Sequence, residues 1–338
     1  MTTTHAFAQS LPVAVYGAGG HTGRFIVREL QRRGMAVVAV GRDAARLPAG
    51  VAARVAAIDD APALARAFAG CGVVINAAGP FLDTAGPVIG AAIQAGAGYL
   101  DVTAEQASAM ESFERFDTAA RAAGVAVIPA AGFYGGLADL LATALVGDGG
   151  AVDMLTIAIA LDRWWPTEGT RKTGDRNRVA RLVVDDHRLV PMPLPAATSR
   201  WQFGPAHGEQ AVVELPFSET VTIAHHLRVR SLRAHLTQAA LDDIRDAATP
   251  PPSAQDADGR SAQRFEMVVQ ARHGGTLRTA VSRGQDIYAV SAPLVVEAAA
   301  RMLRPGFDRF GAQSLAQAFD ARDFLAALSP EPLALTLA

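Results

Sequence analysis

The segment from Pro12 to Arg42 constrains the fold of this chain more than any other part of its sequence. It contains a short apolar strand, Val13 to Tyr16, then a glycine-rich turn and a helix from Arg24 to Arg33. A second apolar strand follows from Ala36 to Val40. A strand, a glycine-rich turn and a helix in this order are typical of the start of a dinucleotide-binding fold. The segment therefore predicts a Rossmann-type, doubly wound α/β domain.

The glycine-rich turn meets the requirements of a diphosphate site. Gly17 permits the tight turn, and Gly19 and Gly20 let a diphosphate approach the backbone. Gly23 lets the helix and the strand pack closely, and the start of the helix offers free N–H groups and a partial positive charge. The predicted cofactor contacts in this turn are Gly17, Gly19, Gly20, His21, Thr22, Gly23 and Arg24.

The end of the second strand, at Gly41 and Arg42, is expected to select the cofactor. NAD sites usually place an acidic residue there, about twenty residues past the glycines, to hold the ribose 2′-hydroxyl. In this chain Gly41 leaves space and Arg42 supplies a planar cation suited to a 2′-phosphate. These residues predict NADP(H). The alternative is that Asp43 holds the ribose and Arg42 is a solvated surface residue.

Strands and helices continue to alternate from Arg54 to Val146, which predicts a parallel sheet. One of the predicted helices runs from Ala85 to Ala95. Ligands bind such sheets at the carboxyl ends of the strands. The residues predicted at these ends are Gly17, Arg42, Asn76, Asp101 and Pro129. Further candidate cofactor contacts at the same edge are Asp59, Ala77, Ala78, Gly79 and Pro80.

The pattern changes after Gly147 to Gly150, where strand-like runs follow one another directly. They include Leu155 to Leu161, Thr220 to Arg230 and a hairpin around His273 to Gly275. These runs predict a second, α+β domain with a mainly antiparallel sheet. We expect an NADP-binding domain over residues 1–148 and a substrate and dimerisation domain over residues 149–289. Helices between about residue 290 and residue 338 return to the first domain, and the active site lies in the cleft between the domains.

Composition excludes several classes of partner and location. The single cysteine, Cys71, cannot form an internal disulfide, which fits a reducing cytoplasm. No apolar run approaches the roughly 20 residues of a membrane span, and Met1 to Ser10 lacks the pattern of a signal peptide. A net charge of −2 gives no reason to expect nucleic acid or an anionic membrane as partner.

Several stretches together resemble the saccharopine dehydrogenase-like family of NADP-dependent reductases, including its trans-acting enoyl reductase branch. They are Gly17 to Arg24, Asn76 to Phe81, Tyr99 to Glu105, Gly132 to Asp139 and Gly284 to Ala289. The resemblance implies a two-domain reductase that binds NADP(H). The family often has glycine where this chain has Ala104, and it covers several chemistries, so the resemblance does not define the substrate.

Lysine usage excludes one kind of chemistry. Short-chain dehydrogenases need a Tyr-x-x-x-Lys pair, in which the lysine lowers the pKa of the tyrosine. Lys172 is the only lysine of the chain, and Glu168 occupies the position four residues before it. Carbonyl reduction of the short-chain type is therefore excluded.

Two other reductions remain, of a C=N bond or of a conjugated C=C bond. A protonated imine is already an electrophile, whereas a conjugated C=C bond needs a donor near the acceptor oxygen. Tyr134, in a glycine-rich loop at a strand end, is the candidate donor, and Asp101 and Glu105 could orient substrate or cofactor. The alternatives are that Tyr134 only caps the cleft wall and that Glu105 is a helix N-terminal charge. Asp139 is interpreted as a first-turn helix acid.

The second domain offers two further features. Trp164 and Trp165 could line an apolar pocket beside a flexible basic turn, Gly169 to Lys172, or they could be interdomain packing. His225 and His226 are predicted on a strand, where neighbouring side chains point to opposite faces and cannot share a metal ion.

The sequence thus predicts an NADPH-dependent reductase of a C=C or C=N bond in a small or carrier-bound substrate. The apolar run from Leu155 to Trp165 favours a hydrophobic substrate and hence the enoyl branch. Two or more arginines in the cleft would instead indicate an imine derived from an amino acid. The rival hypothesis is a non-catalytic NADP(H) sensor that binds a protein partner.

Overall fold

The computed structural model describes residues 11–147 and 151–338, which are built around two β-sheets. Two sequence predictions, on residues 1–10 and on a domain boundary between residues 148 and 149, lie outside the described residues. No helix in the described ranges combines the length and the apolar character needed to cross a membrane.

The strands of the described residues are numbered in chain order. They are β1 (Val13–Tyr16), β2 (Val37–Gly41), β3 (Ala52–Val55), β4 (Val73–Asn76), β5 (Gly98–Asp101), β6 (Ala126–Ile128), β7 (Val152–Leu161), β8 (Leu182–Asp185), β9 (Arg188–Pro191), β10 (Thr198–Gln202), β11 (Glu209–Glu214), β12 (Val229–Thr237), β13 (Arg264–His273), β14 (Thr276–Gln285), β15 (Gly311–Ala312) and β16 (Ala334–Leu337).

The helices are numbered in the same way. They are α1 (His21–Arg32), α2 (Ala61–Phe68), α3 (Phe81–Gln94), α4 (Gln106–Ala123), α5 (Ala138–Val146), α6 (Glu168–Arg176), α7 (Glu219–Ala224), α8 (Gln238–Arg245), α9 (Ser291–Met302), α10 (Leu315–Ala318) and α11 (Ala321–Ala326). A 3₁₀ turn at Ala44–Arg46 follows β2, and a π-helical turn at Phe133–Leu137 precedes α5.

The first sheet is entirely parallel, with the strand order β15-β6-β5-β4-β1-β2-β3. Its central strands are buried on both faces, which is why β1 reads as an unbroken apolar run rather than as an alternating one. The chain reverses its direction of travel across the sheet at β1, which lies between β2 and β4. A crevice opens beyond the carboxyl ends of the strands at such a point, so this edge is the expected ligand site.

The second sheet is mainly antiparallel, with the strand order β10-β11-β12-β7-β13-β14-β16; β8 pairs with β12, and β9 pairs with β8. Alternate residues of β7, including Leu155, Ile157 and Ile159, belong to a large apolar core that α5 also enters. The two sheets confirm the predicted fold class, a doubly wound parallel sheet with a second α+β layer.

The C-terminal segment contributes to both sheets. Helix α9 packs against α1, and Arg33 of α1 pairs with Glu297 of α9 over 2.5 Å. Strand β15 extends the first sheet beside β6, whereas β16 extends the second sheet beside β14. The last residues therefore tie the two sheets together instead of packing on one of them alone.

Three local predictions are wrong. The strand predicted from Thr220 to Arg230 is helix α7 followed by the start of β12, because the β-branched residues 220–223 are buried in tertiary contacts that override their strand propensity. The turn predicted from Gly169 to Lys172 lies inside α6, which Thr167 caps by accepting a hydrogen bond from the Thr170 N–H over 3.0 Å. The helix predicted from Ala85 begins four residues earlier, at Phe81.

Candidate active site

A cleft of about 900 Å³ lies at the carboxyl edge of the first sheet. One wall comes from the glycine-rich turn and the loops after β2 and β4, and the other comes from α6 and loops of the second sheet. The predicted cofactor contacts that line it are Gly17, Gly19, Gly20, His21, Thr22, Arg42, Ala77, Ala78, Gly79 and Pro80. The cleft therefore brings together most of the residues that the sequence singled out.

The glycine-rich turn has almost no room for side chains. Gly17 has φ of +80°, and its N–H donates to the carbonyl oxygen of Val40 over 2.9 Å. A Cβ on Gly23 would lie 2.2 Å from the carbonyl oxygen of Gly17, so this glycine lets α1 pack against the turn. A Cβ on Gly19 would lie 2.4 Å from the carbonyl oxygen of Arg46. A side chain at position 19 would therefore collide with the 3₁₀ turn, which is a second reason for glycine there.

Two arginines, Arg42 and Arg46, line the part of the cleft that lies beyond the end of β2. Arg42 and Arg46 are exposed and line the cleft, and no carboxylate within residues 11–147 or 151–338 lies within 4 Å of either guanidinium. Asp43, the alternative ribose ligand, uses its Oδ1 to accept a hydrogen bond from the Ala45 N–H over 3.0 Å. This contact caps the turn that carries Arg46 into the cleft. Two unpaired guanidinium groups suit a phosphate monoester better than a ribose hydroxyl.

Four predicted cofactor contacts lie outside the cleft. Gly23 packs under the turn, Arg24 is exposed on α1, and Asp59 is exposed beyond β3. Asn76 is fully buried, and its Oδ1 accepts a hydrogen bond from the Ala78 N–H over 3.0 Å. Asn76 therefore shapes the loop that lines the cleft without reaching the cleft itself.

Asp101 is also buried behind the cleft wall. Its Oδ1 accepts hydrogen bonds from the N–H groups of Thr103 over 3.0 Å and Ala130 over 2.7 Å, and its Oδ2 accepts one from the Tyr99 hydroxyl over 2.8 Å. Burial raises the pKa of Asp101 to about 6. Because it does not line the cleft, Asp101 positions the ends of β5 and β6 instead of touching a substrate.

Glu105 does line the cleft, although only 1% of it is exposed. Its Oε2 accepts a hydrogen bond from the N–H of Phe81, the first residue of α3, over 2.6 Å. Its Oε1 is buried and has no hydrogen-bond partner in the part of the chain that the structure describes. Burial raises the pKa of Glu105 to about 7, so the carboxyl group titrates near neutral pH.

Tyr134 lies in the π-helical turn and faces the cleft. Its ring centroid lies 4.2 Å from that of Phe217 and 5.8 Å from that of Trp164. The Tyr134 hydroxyl is buried, and no other group of the described residues forms a hydrogen bond with it. Burial raises the pKa of Tyr134 well above its usual value, so the phenol stays protonated at neutral pH.

Arg181 is the cation nearest to this aromatic cluster. Its guanidinium carbon lies 4.8 Å from the centroid of Phe217, and its Nη1 donates to the carbonyl oxygen of Pro216 over 2.5 Å. Within the described ranges, no carboxylate lies within 4 Å of Arg181, and the residue lines the cleft. The buried carboxyl group of Glu219 acts on Arg181 at longer range, and burial raises the pKa of Glu219 to about 7. A half-buried cation without a direct ion-pair partner is a candidate anchor for an anionic group.

The strands β1 to β6 of the first sheet are similar to a known domain. Residues 13–128 match the family model described as the saccharopine dehydrogenase NADP binding domain. The match covers about a third of the chain. The NADP-binding domain accordingly contains the glycine-rich turn, Arg42 and the loop from Asn76 to Pro80, and its cofactor is NADP(H).

Solved structures share the fold of the whole chain. Apo saccharopine dehydrogenase (L-Glu forming) from Saccharomyces cerevisiae is 13% identical, with a TM-score of 0.67 over 97% of this chain and 100% of that one. An engineered D-amino acid dehydrogenase bound to NADP⁺ is 14% identical, with a TM-score of 0.53 over 95% and 97%. A mutant meso-dapdh from Clostridium tetani E88 is 12% identical, with a TM-score of 0.51 over 95% and 98%.

These identities establish a shared fold and leave the substrate open. No curated protein sequence matches the chain significantly. The predicted relationship to saccharopine dehydrogenase-like proteins and the predicted NADP(H) cofactor are confirmed. Nothing in these comparisons distinguishes the enoyl reductase branch.

Sequence reasoning assigned no site role to many residues of the cleft. Four of these are Arg46, Arg181, Phe217 and Tyr288. Arg46 has a local signal, since it follows Arg42 by four residues at the end of the same strand. Trp164 lines the cleft as predicted, but Trp165 does not, and the run from Leu155 to Leu161 belongs to the core. That run therefore carries no information about the substrate.

The histidine pair does not lie on a strand. His225 ends α7 and stacks on Phe113, with ring centroids 4.0 Å apart. The Nε2 of His226 lies 2.7 Å from the Oδ1 of Asp139, a buried residue in the first turn of α5. The Oδ2 of Asp139 accepts a hydrogen bond from the Ala316 N–H over 2.9 Å. These contacts join α5, α7 and α10 and explain both residues without a ligand.

Proposed function

We propose that this protein is an NADPH-dependent reductase of a conjugated C=C bond, with Tyr134 as the proton donor. The observation that carries this proposal is the hydroxyl of Tyr134, a residue that lines the cleft; this oxygen is buried and has no hydrogen-bond partner among the described residues. A buried polar group left unpaired costs about 1–3 kcal/mol, so a partner supplied by the substrate accounts for its presence.

The cofactor fits the cleft wall formed by the NADP-binding domain. The tight turn at Gly17 and the start of α1 offer N–H groups to a diphosphate, and Arg42 and Arg46 offer charge to a 2′-phosphate. When bound, NADPH supplies the hydride. The protein's own residues position the acceptor, exclude water and hold the proton that the product requires.

The protonated state of Tyr134 favours a conjugated C=C bond over an imine. Hydride addition to a conjugated C=C bond places negative charge on an oxygen of the substrate, which a neutral phenol can stabilise by donating a hydrogen bond. A protonated imine already carries the charge that makes it reactive and needs no such donor. A C=N substrate is the second candidate, because the shared fold includes amino acid dehydrogenases.

The substrate end of the cleft has aromatic walls and one cation. Tyr134, Trp164 and Phe217 form the walls, and Arg181 is the arginine beside them. The cleft as a whole contains three arginines, which by the sequence criterion would indicate an imine derived from an amino acid. We assign Arg42 and Arg46 to the cofactor, which leaves Arg181 for the substrate. One arginine beside apolar rings favours an apolar, flat acceptor that carries a single anionic group.

Turnover assays with Tyr134→Phe test this proposal. NADPH oxidation is measured with α,β-unsaturated acids and thioesters and, in parallel, with cyclic imines. We expect turnover of the unsaturated compounds, a fall in kcat of about 10²–10⁴-fold in Tyr134→Phe, and unchanged NADPH affinity. Turnover of imines alone, or full activity of Tyr134→Phe, would overturn the role of Tyr134 as donor.

Absence of turnover with every acceptor, together with tight NADPH binding, would favour the non-catalytic sensor. The aromatic lining of the cleft supports the enzyme over that alternative. We also propose the domain division at residue 148, action in the cytoplasm on a small or carrier-bound substrate, and a homodimer formed through the second sheet.

A further inference from the structure

Helix α6 lies across the cofactor end of the cleft from Arg42 and Arg46. None of its residues is buried, and it lines the cleft with Glu168, Lys172 and Thr173, among others. The Thr173 Oγ1 lies 3.0 Å from the position that a Cβ on Gly79 would occupy, so α6 is close to the loop after β4. A single ion pair, Arg176 to Asp83 over 2.9 Å, fastens the end of α6 to α3.

The charges that meet at this point are three cations and one carboxylate. The Nζ of Lys172 pairs with Glu168 one turn earlier on α6. Both side chains are exposed, at 57% for Lys172 and 71% for Glu168. The hydrogen bond from Lys172, followed by the charges of Lys172, Arg46 and Arg42, lowers the pKa of Glu168. Glu168 therefore pairs directly with Lys172, and the charges of Arg46 and Arg42 act on it at longer range.

We propose that Lys172 is a third ligand of the cofactor's 2′-phosphate, contributed by the second sheet's helix α6, and that Glu168 holds Lys172 until the phosphate displaces it. This inference rests on the proposed placement of the 2′-phosphate at Arg42.

If the phosphate replaces Glu168 as the partner of Lys172, the position of α6 over the cleft depends on the cofactor. A phosphate beside Arg42 and Arg46 attracts Lys172 and repels the Glu168 carboxylate, so α6 gains a new contact across the cleft. A cofactor without the 2′-phosphate leaves the Lys172–Glu168 pair intact and gives α6 no new contact. The chain would then discriminate against NADH with residues from both sides of the cleft.

Substitutions of Lys172 and of Glu168 are expected to change the affinity for NADPH in opposite directions. NADPH and NADH are titrated separately against the full chain and its variants at one fixed ionic strength, and the dissociation constants are compared. Lys172→Ala should weaken NADPH binding about tenfold and leave NADH binding unchanged. Glu168→Gln should tighten NADPH binding roughly two- to fivefold, again without effect on NADH, because it removes a competing anion.

Arg178→Ala is the matched control, since it removes an exposed positive charge two residues after α6 at a position that does not line the cleft. It should leave the ratio of the two dissociation constants unchanged. Equal weakening of both cofactors by Lys172→Ala, or no effect of Lys172→Ala on NADPH, would overturn the inference. Weaker NADPH binding by Glu168→Gln would do the same.

Arg42→Ala separates this inference from the proposed function. If Arg42→Ala loses the NADPH preference and Lys172→Ala keeps it, the role of Lys172 is wrong and the proposed cofactor placement stands. If Arg42→Ala keeps the preference, the proposed placement of the 2′-phosphate is itself wrong.

Discussion

The indole N–H of Trp164 donates a hydrogen bond to the hydroxyl oxygen of Tyr288 over 3.0 Å. The same hydroxyl lies 2.9 Å from the Thr170 Oγ1 of α6. Tyr288 itself is held by buried Asp286, whose Oδ1 accepts a hydrogen bond from the Tyr288 N–H over 3.0 Å. The ring of Tyr288 meets the edge of His21 in the glycine-rich turn, with centroids 5.4 Å apart. Tyr288 thus connects the aromatic wall, α6 and the cofactor turn.

Tyr288→Phe should destabilise the protein, whereas Tyr134→Phe should not. The first variant leaves the buried Trp164 N–H without a partner, which costs about 1–3 kcal/mol in the free energy of unfolding. The second removes a hydroxyl that has no partner in the described residues. Urea unfolding of both variants measures the difference. An equal loss of stability would show that the Tyr134 hydroxyl is bonded in the free protein.

Gly23→Ala should destabilise the NADP-binding domain by at least about 1–3 kcal/mol and abolish NADPH binding. The new Cβ would lie 2.2 Å from the Gly17 carbonyl oxygen, so the turn must move. Gly90→Ala is the matched control, because Gly90 is an exposed glycine in α3 with open space around it. That variant should be neutral or slightly more stable, by up to about 1 kcal/mol. Thermal melts with and without NADPH measure both effects, and an equal response of the two variants would contradict the close packing of α1.

The contribution of Glu105 to the free energy of unfolding should fall as the pH rises from about 4.5 to 7. Burial raises the pKa of Glu105 in the folded protein to about 7, from 4.5 in an unfolded chain, so the folded state binds the proton more tightly. Its contribution is therefore complete below the unfolded pKa and is lost as the pH passes through the folded pKa. Glu105→Gln should remove this slope and gain on the order of 1–3 kcal/mol relative to the wild type at pH 8.

Unfolding of the wild type and Glu105→Gln across this pH range measures the effect. The difference between the two isolates Glu105 from the buried carboxyl groups of Asp101 and Glu219, whose pKa values are raised to about 6 and about 7. Parallel pH profiles would show that folding does not raise the pKa of Glu105.

Arg181→Gln should raise KM for anionic substrates about tenfold or more, because a charge-assisted hydrogen bond contributes roughly 1.5–3 kcal/mol. KM for a neutral ester of the same acceptor should not change. Arg178→Gln is the control, since Arg178 is exposed three residues earlier and does not line the cleft. An equal effect on the acid and the ester would assign Arg181 to packing against Phe217 and not to substrate binding.

The NADP-binding domain could be predicted from the sequence because its requirements are local. Gly17, Gly23 and Arg42 lie within one strand–turn–helix–strand unit, so their spacing alone indicates the turn and the end of β2. Gly19 lies in the same unit, but its steric requirement for glycine could not be predicted. The Arg46 carbonyl group that leaves no room for a Cβ belongs to the 3₁₀ turn after β2.

The substrate end could not be predicted because it is assembled from distant segments. Tyr134 and Phe217 are 83 positions apart in the numbering and meet only after α7 packs against the π-helical turn. The residues after Phe217 have the β-branched composition of a strand and form α7 instead, since burial outweighs propensity there. Arg181 belongs to no recognisable sequence motif, and only its position over the Phe217 ring in the structure indicates a role.

The central claim is that the cleft binds NADPH through the 2′-phosphate site at Arg42. Fluorescence titration with NADPH and NADH, on the wild type and on Arg42→Ala, tests it most directly. We expect the wild type to bind NADPH much more tightly than NADH and the variant to lose that preference through weaker NADPH binding alone. Preference for NADH in the wild type, or an unchanged preference in Arg42→Ala, would contradict the account.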